Sequence, residues 1–216
     1  MTKPQNYCLA LLIATVLSLC LANGTTDRAN GQSEVAFDSD EVMLDLLTYE
    51  LPDGIFFSGT RLVEETPDSP EVLSQLSAFT FSGILTFQAF ETSDEAAQSS
   101  EMTNGTELNL QNHSGLLESM LESLGDEPDF QLLWKHRQEI TGASVIILET
   151  ADAARACNRL RNIVVCAVST RATSGDAFDG AAIGGSLFGM AVLLDVTEDN
   201  AISVEQSPSA TAMVSP

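Results

Sequence analysis

The sequence predicts an α+β fold, a mixed sheet with helices on one face, built in part from a duplicated strand–helix unit. Three observations carry this. The run AFTFSGILTFQAFE places Phe79, Phe81, Leu85, Phe87 and Ala89 on one face at period two, the alternation of a half-buried strand. ASVIILE, TADAARACNRLR and NIVVCAVST read in turn as strand, helix and strand. A crossover of about a dozen residues is the minimum for a parallel pair. Finally, FSGILTFQAFETSDEAA echoes ITGASVIILETADAA, each ending in Glu-Thr-x-Asp-x-Ala-Ala, which suggests one unit used twice with its helices layered on the sheet.

The elements follow in order. Residues 1–22 read as a signal peptide: Lys3 precedes the uncharged run CLALLIATVLSLCLA, which ends at the polar stretch NGTTDRANGQSE. A membrane span usually needs about twenty apolar residues, so the run suits export better than permanent anchoring. Residues 23–37 form a polar linker, and residues 38–196 the α+β domain. Asp40 is placed to cap a helix over residues 41–50, closed by Leu51-Pro52-Asp53-Gly54. IFFSGTRLVEE reads as a strand ended by Pro67 and Pro70, and Ser69 as the cap of a short helix over 71–77.

After the Phe-rich strand, where Gly83 marks a bulge or a turn, Thr92 or Ser93 caps a helix in ETSDEAAQSS. EMTNGTELNLQNHS is polar and reads as a surface loop, LLESMLESLG as a helix ended by Gly125. A further helix over 129–139 carries Phe130, Leu133 and Trp134. The stretch 180–194 has Ile183, Leu187, Met190, Ala191 and Leu194 at helical spacing. Its glycines weaken any helix and match the small-residue spacing of packed membrane helices, but the stretch is short for a span and is expected to be a buried helix closing the core. Residues 197–216 read as a disordered tail.

Charge narrows the partners. Thirty-one acidic residues against nine basic ones give a net charge of −22. Such a chain is repelled by nucleic acid and by anionic lipid, so no nucleic-acid partner is expected, and membrane contact only through a lipid anchor. From Glu34 to Asp129 the one basic residue is Arg61, whereas Lys135, Arg137, Arg155, Arg159, Arg161 and Arg171 follow. That stretch is expected to face the protein's own acidic half or solvent rather than an external anion.

Candidate site residues are few. Cys20, within Val16-Leu17-Ser18-Leu19-Cys20, is a possible lipid attachment point, with cleavage after Ala22 or Gly24 as the competing reading. Cys157 and Cys166 remain beyond the leader, and two readings stand, a disulfide or two small buried thiols. On a helix-to-strand reversal the two would be out of step by several ångströms, against a disulfide limit of about 7 Å between Cα atoms. Asn104 and Asn112 begin N-x-S/T triplets in the polar loop and are possible glycosylation sites.

No catalytic, cofactor or metal motif is present. His113 and His136 fall in no ligand spacing, and Gly184-Gly185-Ser186-Leu187-Phe188-Gly189 misses the nucleophile elbow by one position. Asp38, Asp40 and Glu41 lack the spacing and glycine of a calcium loop. The expectation is a non-enzymatic protein without cofactor or metal. Two alternatives stand beside it: a secreted hydrolase using a carboxylate pair, and a membrane-inserting protein using residues 180–194.

The order LPDGIFFSGTRLVEET, a strand running into ETSDEAA, then ETADAARACNRLRNIVVCAVST and a last helix ending LLDV resembles a loose group of bacterial envelope lipoproteins with small sensor-like α+β extracytoplasmic domains. The resemblance implies a non-enzymatic binding or sensor-like domain, secreted or on the outer face of the cell membrane. Its partner would be an envelope protein or a small ligand.

Overall fold

A computed structural model describes residues 35–53, 61–80, 83–113, 115, 117–118, 127–170 and 178–205. The predicted signal peptide, Cys20, most of the linker and residues 206–216 lie outside them, as does Arg171. The described chain is an α+β fold whose seven strands form one sheet in the order β1-β2-β3-β7-β6-β5-β4.

Helix α1 (Ser39–Thr48) starts two residues earlier than the sequence suggests: its cap is Asp38, whose carboxylate accepts from the Asp40 and Glu41 amides at 3.1 and 3.3 Å. Strand β1 (Val63–Glu65) is the sheet edge. Strands β2 (Ser74–Thr80) and β3 (Gly83–Ala89) form a hairpin, so the residues expected as a short helix over 71–77 are partly strand. Gly83 is required at the turn: its φ is 154°, and a Cβ there would lie 1.8 Å from the Val168 carbonyl oxygen. The turn also splits the expected face. Ala78 pairs with Leu85, so even positions of β2 and odd positions of β3 share the core side. Leu76, Ala78, Leu85 and Phe87 are buried, while Phe79 is 61 % exposed on the other side.

Helix α2 (Ser93–Gln98) is capped as expected. Thr92 Oγ1 accepts from the Glu95 amide and the Glu95 carboxylate accepts from the Thr92 amide, both at 3.1 Å. The expected surface loop instead holds α3 (Ser100–Thr103), β4 (Thr106–Asn109) and a 3₁₀ turn (Leu110–His113). The single helix expected over 129–139 is two, α4 (Pro128–Lys135) and α5 (Arg137–Gly142); Phe130 and Leu133 are buried and Trp134 is exposed.

The largest correction concerns TADAARACNRLR. It forms strand β6 (Ala153–Leu160) between β5 (Ser144–Glu149) and β7 (Ile163–Thr170), and all three are joined by hairpins. Every described strand pair is antiparallel, so the sheet is not mixed. The reason is the hidden alternation of β6. Ala154, Ala156 and Asn158 are buried toward the core, while Arg155, Cys157 and Arg159 alternate with them. That period of two overrides the helical propensity of Ala and Arg. Thr150, the first residue of that segment, closes the β5–β6 turn: its amide donates to the Ala153 carbonyl at 2.8 Å. The echoed segments thus diverge, one entering a helix and the other a strand, and no duplicated unit is seen among the described residues.

Helix α6 (Phe178–Glu205) continues past the expected start of the tail at 197. Gly180–Glu198 is long and apolar enough to cross a membrane, yet 72 % of its most apolar stretch is buried within the domain. Two glycines seat it on the sheet. A Cβ on Gly189 would meet Val165 Cγ1 at 2.5 Å and Leu85 Cδ1 at 2.8 Å, and one on Gly185 would meet Ala167 Cβ at 3.0 Å. Asn158 Nδ2 donates to the Ser186 carbonyl and hydroxyl oxygens, both at 2.9 Å, which fixes register between β6 and α6.

The core divides around this helix. On one flank Val42, Met43 and Leu46 of α1 pack with Leu76, Phe87, Phe188 and Val192. On the other, Phe130, Leu133 and Ile140 pack with Ile183, Leu187 and Met190. The expected restriction of helices to one face does not hold, because Ala96 of α2 and Met102 of α3 cover Cys157, Val164 and Cys166 on the opposite side.

Candidate functional site

Three places gather chemistry: the cysteine pair, a polar cluster at the end of α4, and a cleft beside β1.

Cys157 and Cys166 are directly opposed on β6 and β7. Their Cα atoms lie 4.1 Å apart and they form a disulfide, both residues being buried. The expected mismatch in height vanishes because both residues are in strands that climb equally. Asn104 ends α3 and Asn112 sits in the 3₁₀ turn; both are exposed, as modification requires.

The polar cluster centres on Asp195 of α6. Its carboxylate accepts from Lys135 Nζ, from Tyr49 OH at 2.8 Å and lies 3.2 Å from His136 Nε2. Lys135 also lies 3.3 Å from Glu198, and His136 Nδ1 3.8 Å from the same side chain. Burial pushes the Asp195 carboxyl upward, but the hydrogen bonds from Lys135, Tyr49 and His136 outweigh it and hold its pKa below the ordinary value. The hydrogen bond to Asp195 raises Lys135.

One ligand atom each from His136, Asp195 and Glu198 lies within 4.8 Å of the others, a spacing that a metal could use. The Lys135 ammonium already bonds to both carboxylates, so an ion must first displace a cation. The arrangement therefore acts as a brace joining α4 and α6 with Tyr49, the residue that ends α1. The sequence marks Lys135 only as part of the basic stretch and His136 as lying in no ligand spacing, and it carries no expectation for Tyr49, Asp195 and Glu198. The available signal was Asp195 and Glu198, one turn apart where α6 ceases to be apolar.

Within the described residues most of the basic stretch pairs inside the chain, though Lys135 meets Asp195 and Glu198 rather than the acidic half. Besides Lys135, Arg137 pairs with Glu118 and stacks on Trp134 with 5.1 Å to the ring centre. Arg155 lies 3.6 Å from Glu101, and Arg161 lies over the Phe37 ring at 4.3 Å.

The cleft, of about 450 Å³, opens between α1 and the β1–β2 edge. Its floor is Met43 and Leu76, both part of the core. Leu44 and Leu73 stand above it, 60 % and 57 % exposed. Asp40 and Glu64 line it, with Glu65 at its strand edge, and no described basic residue does. Glu65 is held in place by Ser77 Oγ at 2.6 Å and Gln75 Nε2 at 3.1 Å. Ser74 Oγ, on the same wall, is buried without a hydrogen-bond partner among the described residues. Sequence reasoning missed this site because α1 and β1 meet only through tertiary packing.

No family model matches the chain, and neither does any curated protein or solved structure. Fold and site define it as an acidic α+β domain with a disulfide-tied sheet and an open, acid-lined apolar cleft.

Proposed function

We propose that this chain is an exported, non-enzymatic domain that binds a partner or ligand at the cell envelope. The observation that carries the reading is the buried Cys157–Cys166 disulfide. Disulfides persist in oxidising compartments and are rare where glutathione keeps thiols reduced. The leader-like residues 1–22 and the resemblance to bacterial envelope domains support the same reading. A lipid on Cys20 would tether the domain to the outer face of the membrane. Binding rather than catalysis is favoured because the best-defined carboxylate, Asp195, is ion-paired and held ionised, the opposite of a general acid. The membrane-inserting alternative would require α6 to leave its seat in the core.

The test is expression with residues 1–22 intact, followed by fractionation, N-terminal mass spectrometry and thiol alkylation. The expected product is extracytoplasmic, shortened at its start and free of alkylation at Cys157 and Cys166. A full-length cytosolic chain with both thiols alkylated overturns the proposal. Labelling with an alkyne fatty acid, lost in Cys20→Ser, assigns the anchor.

A further inference from the structure

We infer that the cleft between α1 and the β1–β2 edge is the docking site for an extended lysine- or arginine-rich segment of a partner protein, with apolar side chains between its cations. This deepens the binding-domain reading and rests on it. Two features coincide there. Leu44 and Leu73 are more than half exposed, over a floor formed by Met43 and Leu76. Water-exposed apolar walls above an apolar floor favour an incoming apolar side chain. Around them stand Asp40 and Glu64, with Glu65 turned to Gln75 and Ser77 at the edge, and no described residue of the lining is a cation.

Charge complementarity selects the occupant. An anionic ligand is repelled by these carboxylates and by the net charge of −22. A second copy of the chain brings the same negative surface, and Lys135, Arg137 and Arg155 already pair with its own carboxylates. A simple divalent cation would use the carboxylates but gain nothing from Leu44 and Leu73. A cationic segment with interspersed apolar residues satisfies both halves of the lining. An extended shape fits because β1 is the last strand of the sheet, and no described strand pairs with its outer side. A strand added there gains main-chain hydrogen bonds, while alternate side chains enter the cleft.

The experiment uses the disulfide-intact protein and three dye-labelled peptides of equal length, a Lys–Val peptide of Lys-Lys-Val-Val repeats, a Lys–Ser peptide of Lys-Lys-Ser-Ser repeats and a Glu–Val peptide of Glu-Glu-Val-Val repeats, so that each face of the extended strand carries both residue types. Binding is read by fluorescence anisotropy. The Lys–Val peptide is expected to bind, the Lys–Ser peptide about tenfold more weakly, and the Glu–Val peptide not at all. Glu64→Lys and Leu73→Ser, both at exposed positions, are each expected to weaken Lys–Val binding about tenfold, with unchanged melting curves. Glu107→Lys, on the far edge strand β4, is expected to stay within about twofold of the parent. In methyl NMR spectra the Leu44 and Leu73 signals should move on addition of the Lys–Val peptide.

Absence of Lys–Val binding overturns the proposal. So does equal affinity for Lys–Ser, or an equal loss in Glu107→Lys, since either reduces the effect to diffuse charge. Export and thiol state are measured in cells without peptide, so that reading stands or falls separately.

Discussion

Asn162 pairs with the peptide group of Phe37 as one strand pairs with another. Its Oδ1 accepts from the Phe37 amide at 2.7 Å and its Nδ2 donates to the Phe37 carbonyl at 3.2 Å. The same Nδ2 donates to the Phe90 carbonyl at 2.9 Å and to Ser39 Oγ at 3.0 Å. One buried side chain in the β6–β7 turn therefore ties down the entry to α1 and the exit from β3.

Replacing it should be costly. Asn162→Ala leaves the Phe37 amide and the Phe90 carbonyl without these partners, and losing such buried bonds costs about 1–3 kcal/mol each before relaxation. A loss of about 3 kcal/mol is expected in urea unfolding. Hydrogen exchange should show the Phe37–Ser39 amides deprotected first. An unchanged midpoint would show that solvent replaces these bonds at no cost.

The Asp195 brace sets an acid limb. A carboxyl whose folded pKa lies below its unfolded value adds stability in full above the unfolded value, near 3.8, and loses it as pH falls through the folded value. Stability should therefore drop below about pH 4 more steeply in the parent than in Asp195→Asn. At neutral pH the variant should lose about 1–2 kcal/mol, discounted for its partial exposure. Parallel acid limbs would remove Asp195 from this account.

Two glycines of α6 should respond with opposite sign. No described atom lies within 4 Å of a Cβ on Gly180, so Gly180→Ala should stabilise by about 0.5–1 kcal/mol through helix propensity. Gly189→Ala drives a methyl into Val165 and Leu85, and overpacking of this kind costs about 1–3 kcal/mol, more than the propensity gain. Thermal melts of the two variants, compared with the parent, decide it.

The disulfide closes a short loop, so its worth is modest. For the Cys157–Cys166 separation of 9 residues, loop-closure entropy predicts about 2–3 kcal/mol. Cys157→Ala/Cys166→Ala should lose that amount yet keep its circular dichroism. The hairpin is already held by the paired backbone and by Asn158 on Ser186.

The strands with strong alternation or continuous apolar runs, in β3, β5 and β7, could be read directly, as could the Thr92 cap. Strand β6 could not: Ala, Arg and Asn carry little hydrophobic contrast, and only pairing on both sides makes Ala154 and Ala156 core residues. The same error misjudged the geometry of Cys157 and Cys166, whose closeness depends on β6 being extended. The cleft and the Asp195 brace join residues far apart in sequence, Asp40 with Glu64 and Tyr49 with Asp195. No local spacing announces such pairs.

Strand β7 lies between β3 and β6 in the middle of the sheet, although it is the last of the described strands in chain order, and the helix that covers the sheet follows it. During synthesis the β1–β2–β3 meander emerges well before its neighbour and its cover. Leu85 and Phe87 then stay wet until the ribosome has finished almost the entire domain. Such late closure, with both β7 pairings and the helix cover delayed to the end, keeps the two halves of the sheet apart until synthesis is nearly complete.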